Sequence, residues 1–425
     1  MGNAGSLSGI QGALDVSNPP AGGYTALNVD DSADAALHNN VVLSESSLTG
    51  LAPAAISYSQ SDLRSLYVRL GNTSDLSSGN IVFVANTPIS GVPGGMMTTI
   101  TTGTAVNQND LVFVVATTGA LIVNLQNNGT TAAAGVILGA GARTLDSIQS
   151  PVTVNTLTGW TGLALFDDQN VAGQNYTVTA NTVSRSGRLM ATYQVSNALF
   201  LYASRGANTI NVQSTSQATV INAGWSDDTI NVGDAGNTLD NLHGGNGGYL
   251  LLQINNPGSQ IIFNDQGSAA SRSYTFFTDT RNNPVLFVPG VNEFFFSGPL
   301  AALVLNGSSG SDTYNIETTF TATTINGGGG GNMFRISPVA EKLSNIVGPL
   351  TVNGGGNDTL EFFDANNPNS ETYNFDSVPS NLTLTTVPVS VNFSGMGAVY
   401  LVTNGMSTVN DPSGTVIVDP VGGPP

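Results

Sequence analysis

The chain has 425 residues, only 9% of them charged, with 28 acidic against 10 basic side chains and a formal charge of −18. That balance excludes nucleic-acid binding, which needs a basic face toward the phosphates, and docking on an anionic membrane surface; it suits solubility and cation binding. Cysteine is absent, which excludes disulfides, thiolate metal sites and cysteine nucleophiles.

From the N-terminus, MGNAGSLSGIQG has neither a basic segment nor an apolar core, so no signal peptide is read there. The first strong pattern, SDLRSLYVRL (61–70), fits a helical turn or a strand. GNIVFV at Asn80 and NDLVFV at Asp110 follow. The longest apolar stretch, Leu111 to Val123, is interrupted by Thr117, Thr118 and Gly119, so no membrane-crossing helix is expected. Beyond it, TINVQ, ATVIN, DTINV, YLLLQI, QIIF, SYTFF, PVLFV, ALVLN and DTYNI are short alternating runs rich in Val, Ile, Thr, Tyr and Phe. Gly, Asn, Asp and Ser separate them. This is the grammar of strands and turns, and the chain is expected to be all-β.

One phrase recurs four times, anchored at Leu7, Leu145, Leu239 and Leu343. An acidic turn follows each anchor: Asp30-Asp31, Asp167-Asp168, Asp265 and Asp364. In three copies a tyrosine comes eight or nine residues later, at Tyr176, Tyr274 and Tyr373. Four degenerate repeats result, 6–143, 144–237, 238–341 and 342–415, with a Pro/Gly linker-like tail at 416–425. Within them, Asn208 and Asp228 are 20 residues apart, as are Asp312 and Asn332. This spacing predicts one parallel β-helix or β-solenoid over 1–415, built of coils of about 20 residues. Tandem Ig-like β-sandwiches are the alternative. Asn222, Asn306, Asn326 and Asn353 before the turns, and Asn211, Asn231 and Asn315 in the strands after them, are placed to form hydrogen-bonded ladders.

The glycine turns read AGWSDDTIN, GSSGSDTYN, GGGGGNMFR and NGGGNDTLE, with a weaker ASRGANTIN. They resemble the nonapeptides of hemolysin-type (RTX-like) calcium-binding repeats. In that family backbone carbonyls and the aspartate ligate Ca²⁺ between stacked turns. The resemblance implies Asp228, Asp312 and Asp358 as ligands, with Asn208 and Asn332 in the same slot. The present turns do not run in direct tandem, and Ala203, Ala223, Ser226, Ser308 and Asn353 fill glycine slots. The other reading is of tight turns needing glycine for positive φ and Asn/Asp for local capping. The whole repeat also resembles the long divergent repeats of very large exported bacterial proteins of planctomycete type, through LxxIxGPLTVNGG, NDTLxF and LNGxSGxDTYN.

The acidic turns raise a paired-carboxylate reading. Their recurrence once per repeat favours a solvated structural turn, since a catalytic pair is normally unique. His38 and His243 have no metal-spacing partner and read as surface or turn residues. In Phe294-Phe295-Phe296 the outer ring is expected to lie under a neighbouring loop, or else to be a contact for a partner. The sequons at Asn128 and Asn175 are expected by chance. No nucleophile elbow, P-loop or dinucleotide fingerprint occurs. The sequence thus points to a non-enzymatic extracellular or cell-surface structural or adhesive segment, with calcium as the implied cofactor. Its expected partners are cell-surface polysaccharide or neighbouring modules. A polysaccharide-binding or polysaccharide-cleaving β-helix and a tandem Ig-like adhesin are the alternatives.

Overall fold

Alternation of apolar and polar side chains dictates the local structure. In Thr209–Val212 (TINV), Ile210 and Val212 are buried and the other two face outward; Thr229–Val232 repeats this, as period-two geometry requires. The computed structural model describes residues 3–18, 23–73, 79–89, 97–105, 108–127, 133–243, 249–376, 380–385 and 388–420. Among these the only helical elements are two single 3₁₀ turns, Gln60–Asp62 and Leu343–Asn345. The ambiguous 61–70 segment resolves into the first of these turns followed by the strand Leu63–Arg69. The sequon at Asn128 lies outside the described residues.

The strands pair mostly in parallel, in a sheet that does not close on itself. That is not the antiparallel pairing of an Ig-like sandwich. The chain divides into two compact units: residues up to 206 with 217–222, and 207–216 with those from 223 onward. In the first unit one ladder runs Ile81–Val84, Leu111–Val114, Ala133–Leu138, Trp160–Phe166, Ala198–Tyr202, Ala218–Asn222. In the second, one runs Thr209–Val212, Thr229–Val232, Gln260–Asn264, Ala302–Asn306, Ala322–Asn326, Leu350–Asp364.

The return step is not uniform. It is 20 residues from Asn208 to Asp228 and from Asp312 to Asn332, as expected, but 26 from Asn332 to Asp358 and 40 from Arg272 to Asp312. The 26-residue return carries no meander, and the 40-residue one carries a three-stranded antiparallel meander. There is one per sequence repeat: Val41–Leu43/Ser47–Thr49/Ile56–Tyr58, Asn175–Val178/Thr182–Arg185/Arg188–Gln194, Ser273–Thr278/Pro284–Val288/Asn292–Ser297, and Thr372–Phe375/Asn381–Leu384/Ser390–Thr403. Part of the expected linker tail is also a strand: Ile417–Pro420 pairs in parallel with Tyr400–Thr403.

Parallel register stacks like on like. Asparagine amides donate down a column from Asn353 to Asn326 (2.8 Å), Asn326 to Asn306 (2.7 Å) and Asn306 to Asn264 (3.0 Å). Asn231 donates to Asn211 (3.0 Å). Inside the second unit, Tyr274, Tyr314 and Phe334 stack nearly face to face, with centroids 5.0 and 4.7 Å apart. Phe294 and Phe296 are buried, and the outer ring of Phe295 meets the edge of Tyr249 at 5.9 Å. We expect Phe334→Ala to cost about 3–5 kcal/mol, the range for truncating a fully buried ring. The neighbouring Met333→Ala, on a side chain 41% exposed, should change stability by less than about 1 kcal/mol. Urea unfolding of both variants measures the contrast.

Candidate functional site

The recurrent phrase is a tight turn. In each copy the N–H three residues on donates to the anchor leucine carbonyl: Ile10 to Leu7 (3.0 Å), Ile148 to Leu145 (3.1 Å), Leu242 to Leu239 (3.0 Å), Ile346 to Leu343 (2.9 Å). The leucine side chains are fully buried, so each leucine N–H needs an internal acceptor. The acidic turn supplies it. Leu7, Leu145, Leu239 and Leu343 donate to Oδ1 of Asp31 (2.8 Å), Asp167 (2.9 Å), Asp265 (2.9 Å) and Asp364 (2.8 Å). These four aspartates are at most 1% exposed, which corrects the expectation of a solvated turn. Nor are the double aspartates paired carboxylates. Asp167 points inward, whereas its neighbour Asp168 is half-buried and binds Arg143 at 2.8 Å.

The second oxygen of the node is also held. Nine residues on, the hydroxyls of Tyr176, Tyr274 and Tyr373 donate to Oδ2 of Asp167 (2.5 Å), Asp265 (2.6 Å) and Asp364 (2.6 Å). Burial, with the adjacent carboxylate, pushes all three phenols far above their usual range, so they stay donors. Arg185 adds contacts of 2.9 and 3.0 Å to Asp167, Arg272 one of 3.1 Å to Asp265, and the Asn367 amide one of 2.9 Å to Asp364. Three positions after each aspartate a backbone N–H closes the turn onto its carbonyl, at Asp34, Asn170, Ser268 and Asn367.

Repeat one differs. No tyrosine follows Asp31. Val41 stands in the tyrosine register, and His38, in the position of Arg272, approaches the node, with Nε2 3.2 Å from Asp31 Oδ2 and Nδ1 3.1 Å from the Gly50 carbonyl. His38 is therefore built into the node rather than a bare turn residue, while His243 is exposed. Arg185, Arg272 and His38 were not assigned to the acidic turns from sequence. The missing tyrosine of repeat one was the available signal.

The five residues of the calcium expectation stand in two columns rather than one cluster, Asn208 and Asp228 on one ladder and Asp312, Asn332 and Asp358 on another. Four of them accept a backbone N–H from the preceding level of the ladder: Asn208 N–H to Asp228 Oδ1 (2.8 Å), Arg272 to Asp312 (2.7 Å), Asp312 to Asn332 (2.8 Å), Asn332 to Asp358 (2.6 Å). Asn80 and Asp110 do the same in the first unit, with the Asn80 N–H 2.6 Å from Asp110 Oδ1. Glycine is required beneath them: Gly328 has φ +74°, and a Cβ there would lie 2.2 Å from the Ser308 carbonyl oxygen. Of the second oxygens, Asp312 Oδ2 meets the Tyr314 hydroxyl (3.0 Å) and Asp358 Oδ2 the Gly355 N–H (2.5 Å). Asp228 Oδ2 is buried with no hydrogen-bond partner, and burial pushes this carboxyl up to about 7. Among the described residues the one group of three ligand-type side chains whose atoms lie within 4.8 Å of one another is Asp31, Asp34 and His38.

Two clefts hold a carboxylate. One of about 880 Å³ is lined by Phe277, Asn315, Arg335 and Glu317, but Glu317 accepts the Val339 (2.9 Å) and Ala340 (3.2 Å) amides with its two oxygens. The other, about 510 Å³, places Glu293 beside Tyr249, Phe287 and Phe295. Neither holds two carboxylates. No protein-family model, curated protein or solved structure matches the chain.

Two outcomes follow from this geometry. Asp167→Ala takes the acceptor from the buried Leu145 N–H and Tyr176 hydroxyl and one of two carboxylates from Arg185, which keeps Asp146 at 2.7 Å, and should cost about 3–5 kcal/mol, whereas Asp168→Ala, breaking a half-exposed pair, should cost less than about 1 kcal/mol; chemical denaturation compares them. For Asp228, a folded pKa above the ordinary ~3.9 means that the protonated acid favours the fold. Its contribution is complete below about pH 4 and is lost as pH rises through about 7. Asp228→Asn keeps the Oδ1 acceptor, as Asn332 does in its own slot. We expect it to melt above the parent at pH 7.5 in EDTA and to flatten the decline between pH 4 and 7.5.

Proposed function

We propose that the chain is a non-enzymatic structural segment of a large exported repeat protein, each unit wound as a β-solenoid with one meander per repeat. The observation that carries this reading is the fourfold recurrence of the buried aspartate node. The carboxylates most removed from solvent close turns of the backbone, and the same closure is built again in each repeat. A reaction centre needs groups free to meet a substrate, arranged once. The extracellular setting rests on the resemblance to exported repeats. Immunolabelling of the source cells tests it: signal on intact cells supports the reading, and signal only after permeabilisation overturns it.

Polysaccharide binding is the second reading, favoured by the cleft of Tyr249, Phe287 and Phe295 and by Trp160 and Trp225, 50% and 65% exposed. Calcium at the turns is the competing reading of these residues, suggested by the unpartnered Asp228 Oδ2. Side-chain-to-amide bonds already close these turns, so we expect the melting temperature in ~1–10 mM calcium, the range of weak extracellular sites, to match that in EDTA within about 2 °C. A larger rise, abolished by Asp228→Ala plus Asp312→Ala, would instead make Asp228, Asp312 and Asp358, with Asn208 and Asn332, calcium ligands.

A further inference from the structure

We propose that the node of repeat one is a binding site for a divalent cation of zinc type, ligated by Asp31, Asp34 and His38. The four repeats serve as one another's controls. In repeats two to four, the second oxygen of the buried aspartate receives hydrogens from a tyrosine hydroxyl, joined by an arginine in repeats two and three and by the Asn367 amide in repeat four. In repeat one Val41 stands in the register of those tyrosines, and Asp31 Oδ2 faces His38 Nε2 from the position that Arg272 holds in repeat three: the His38 and Arg272 N–H groups donate alike to Asn80 and Asp312. An imidazole differs from the guanidinium in having a lone pair to offer a metal. Asp34 occupies the turn position held by Asn170, Ser268 and Asn367.

The imidazole orientation carries the inference. His38 Nδ1 lies 3.1 Å from the Gly50 carbonyl, which can only accept, so Nδ1 carries the hydrogen. In the neutral ring Nε2 then turns its lone pair toward Asp31 Oδ2, 3.2 Å away. Apart from each other, these two buried atoms have no polar partner, and the aspartate has no exposed surface. Two lone pairs at that distance repel unless something positive lies between them. A carbonyl that fixes the tautomer of a histidine from behind is the usual support of a metal-binding imidazole. One oxygen or nitrogen from each of the three residues lies within 4.8 Å of the others, a span that one cation can bridge. Asp31 Oδ1 accepts the Leu7 N–H at 2.8 Å, Asp34 Oδ1 the Ala36 N–H at 2.8 Å and Asp34 Oδ2 the Ser6 hydroxyl at 3.2 Å, the last a contact that a cation would share or displace. One imidazole with two carboxylates suits zinc in a tetrahedral site completed by water. It does not suit calcium, which takes six to eight oxygens.

The chain has two histidines, which makes the test direct. Imidazole ¹⁵N signals of the full chain, freed of metal with EDTA and dialysed, are followed as Zn²⁺ is added to one equivalent. We expect the His38 ring to shift while His243 does not, with one zinc bound per chain by calorimetry. His38→Gln should weaken zinc binding at least tenfold. If that variant does not fold, Asp34→Asn, which matches Asn170 and Asn367 in the sister turns, should give the same loss. An unmoved His38 ring at one equivalent would mean that a proton, not a metal, sits between Nε2 and Asp31, and overturns the proposal. So would zinc affinity unchanged in the variants, or both rings shifting together.

Discussion

A buried carboxylate accepting a backbone N–H from another winding is the contact on which this structure depends. Parallel ladders satisfy the strands but not the corners between them, where the chain leaves one ladder to join the next. A corner amide shut away from water must find an acceptor or destabilise the fold by about 1–3 kcal/mol. An aspartate reaches it with a charge-assisted bond, shorter and stronger than a neutral one. The same device serves at the leucine turns and at the glycine turns. Its second oxygen is then a liability, and the structure answers it repeat by repeat with tyrosine, arginine or asparagine.

This arrangement changes what the −18 charge means. Nine acidic side chains are buried among the described residues: Asp31, Asp110, Asp167, Asp228, Asp265, Asp312, Asp358, Asp364 and Glu371. A composition that reads as an acidic surface therefore includes a set of internal acceptors. Burial raises Asp110, Asp312 and Asp364 as it does Asp228. At these places folding favours the protonated acid over the carboxylate. The use of asparagine at Asn332, in the same column as Asp312 and Asp358, supplies the same acceptor without the charge.

Much of the architecture was legible because parallel stacking repeats identical chemistry at fixed intervals. The anchors at Leu7, Leu145, Leu239 and Leu343, the 20-residue steps and the asparagine columns through Asn211/Asn231 and Asn306/Asn326/Asn353 all follow from that. The meanders were not legible. An antiparallel excursion such as Ser273–Thr278 to Asn292–Ser297 has the same alternation as a parallel return, and only pairing tells them apart. The direction of the acidic turns was hidden for a related reason. Asp167 and Asp168 are identical neighbours, and the turn that follows the strand Trp160–Phe166 directs one inward to Leu145 and the other outward to Arg143. The recurrence of the turn pointed correctly to structure and wrongly to solvent, since a repeated corner is as readily buried as exposed.

Repetition also explains how a new site can arise without disturbing the fold. In a body whose windings share one design, each node contributes its own small share to stability, so one copy can diverge while its sisters hold. Repeat one keeps every part the backbone needs: the buried leucine, the Asp31 acceptor at 2.8 Å and the turn closed by the Asp34 N–H at 2.9 Å. What it has exchanged are the side chains that neutralise the second oxygen. The position is thus structurally conservative and chemically open. A carboxylate held in place by its amide bond, beside an imidazole fixed by the Gly50 carbonyl, is preorganised: a cation arriving there orders nothing that is not already ordered, which is the condition under which three ligands suffice.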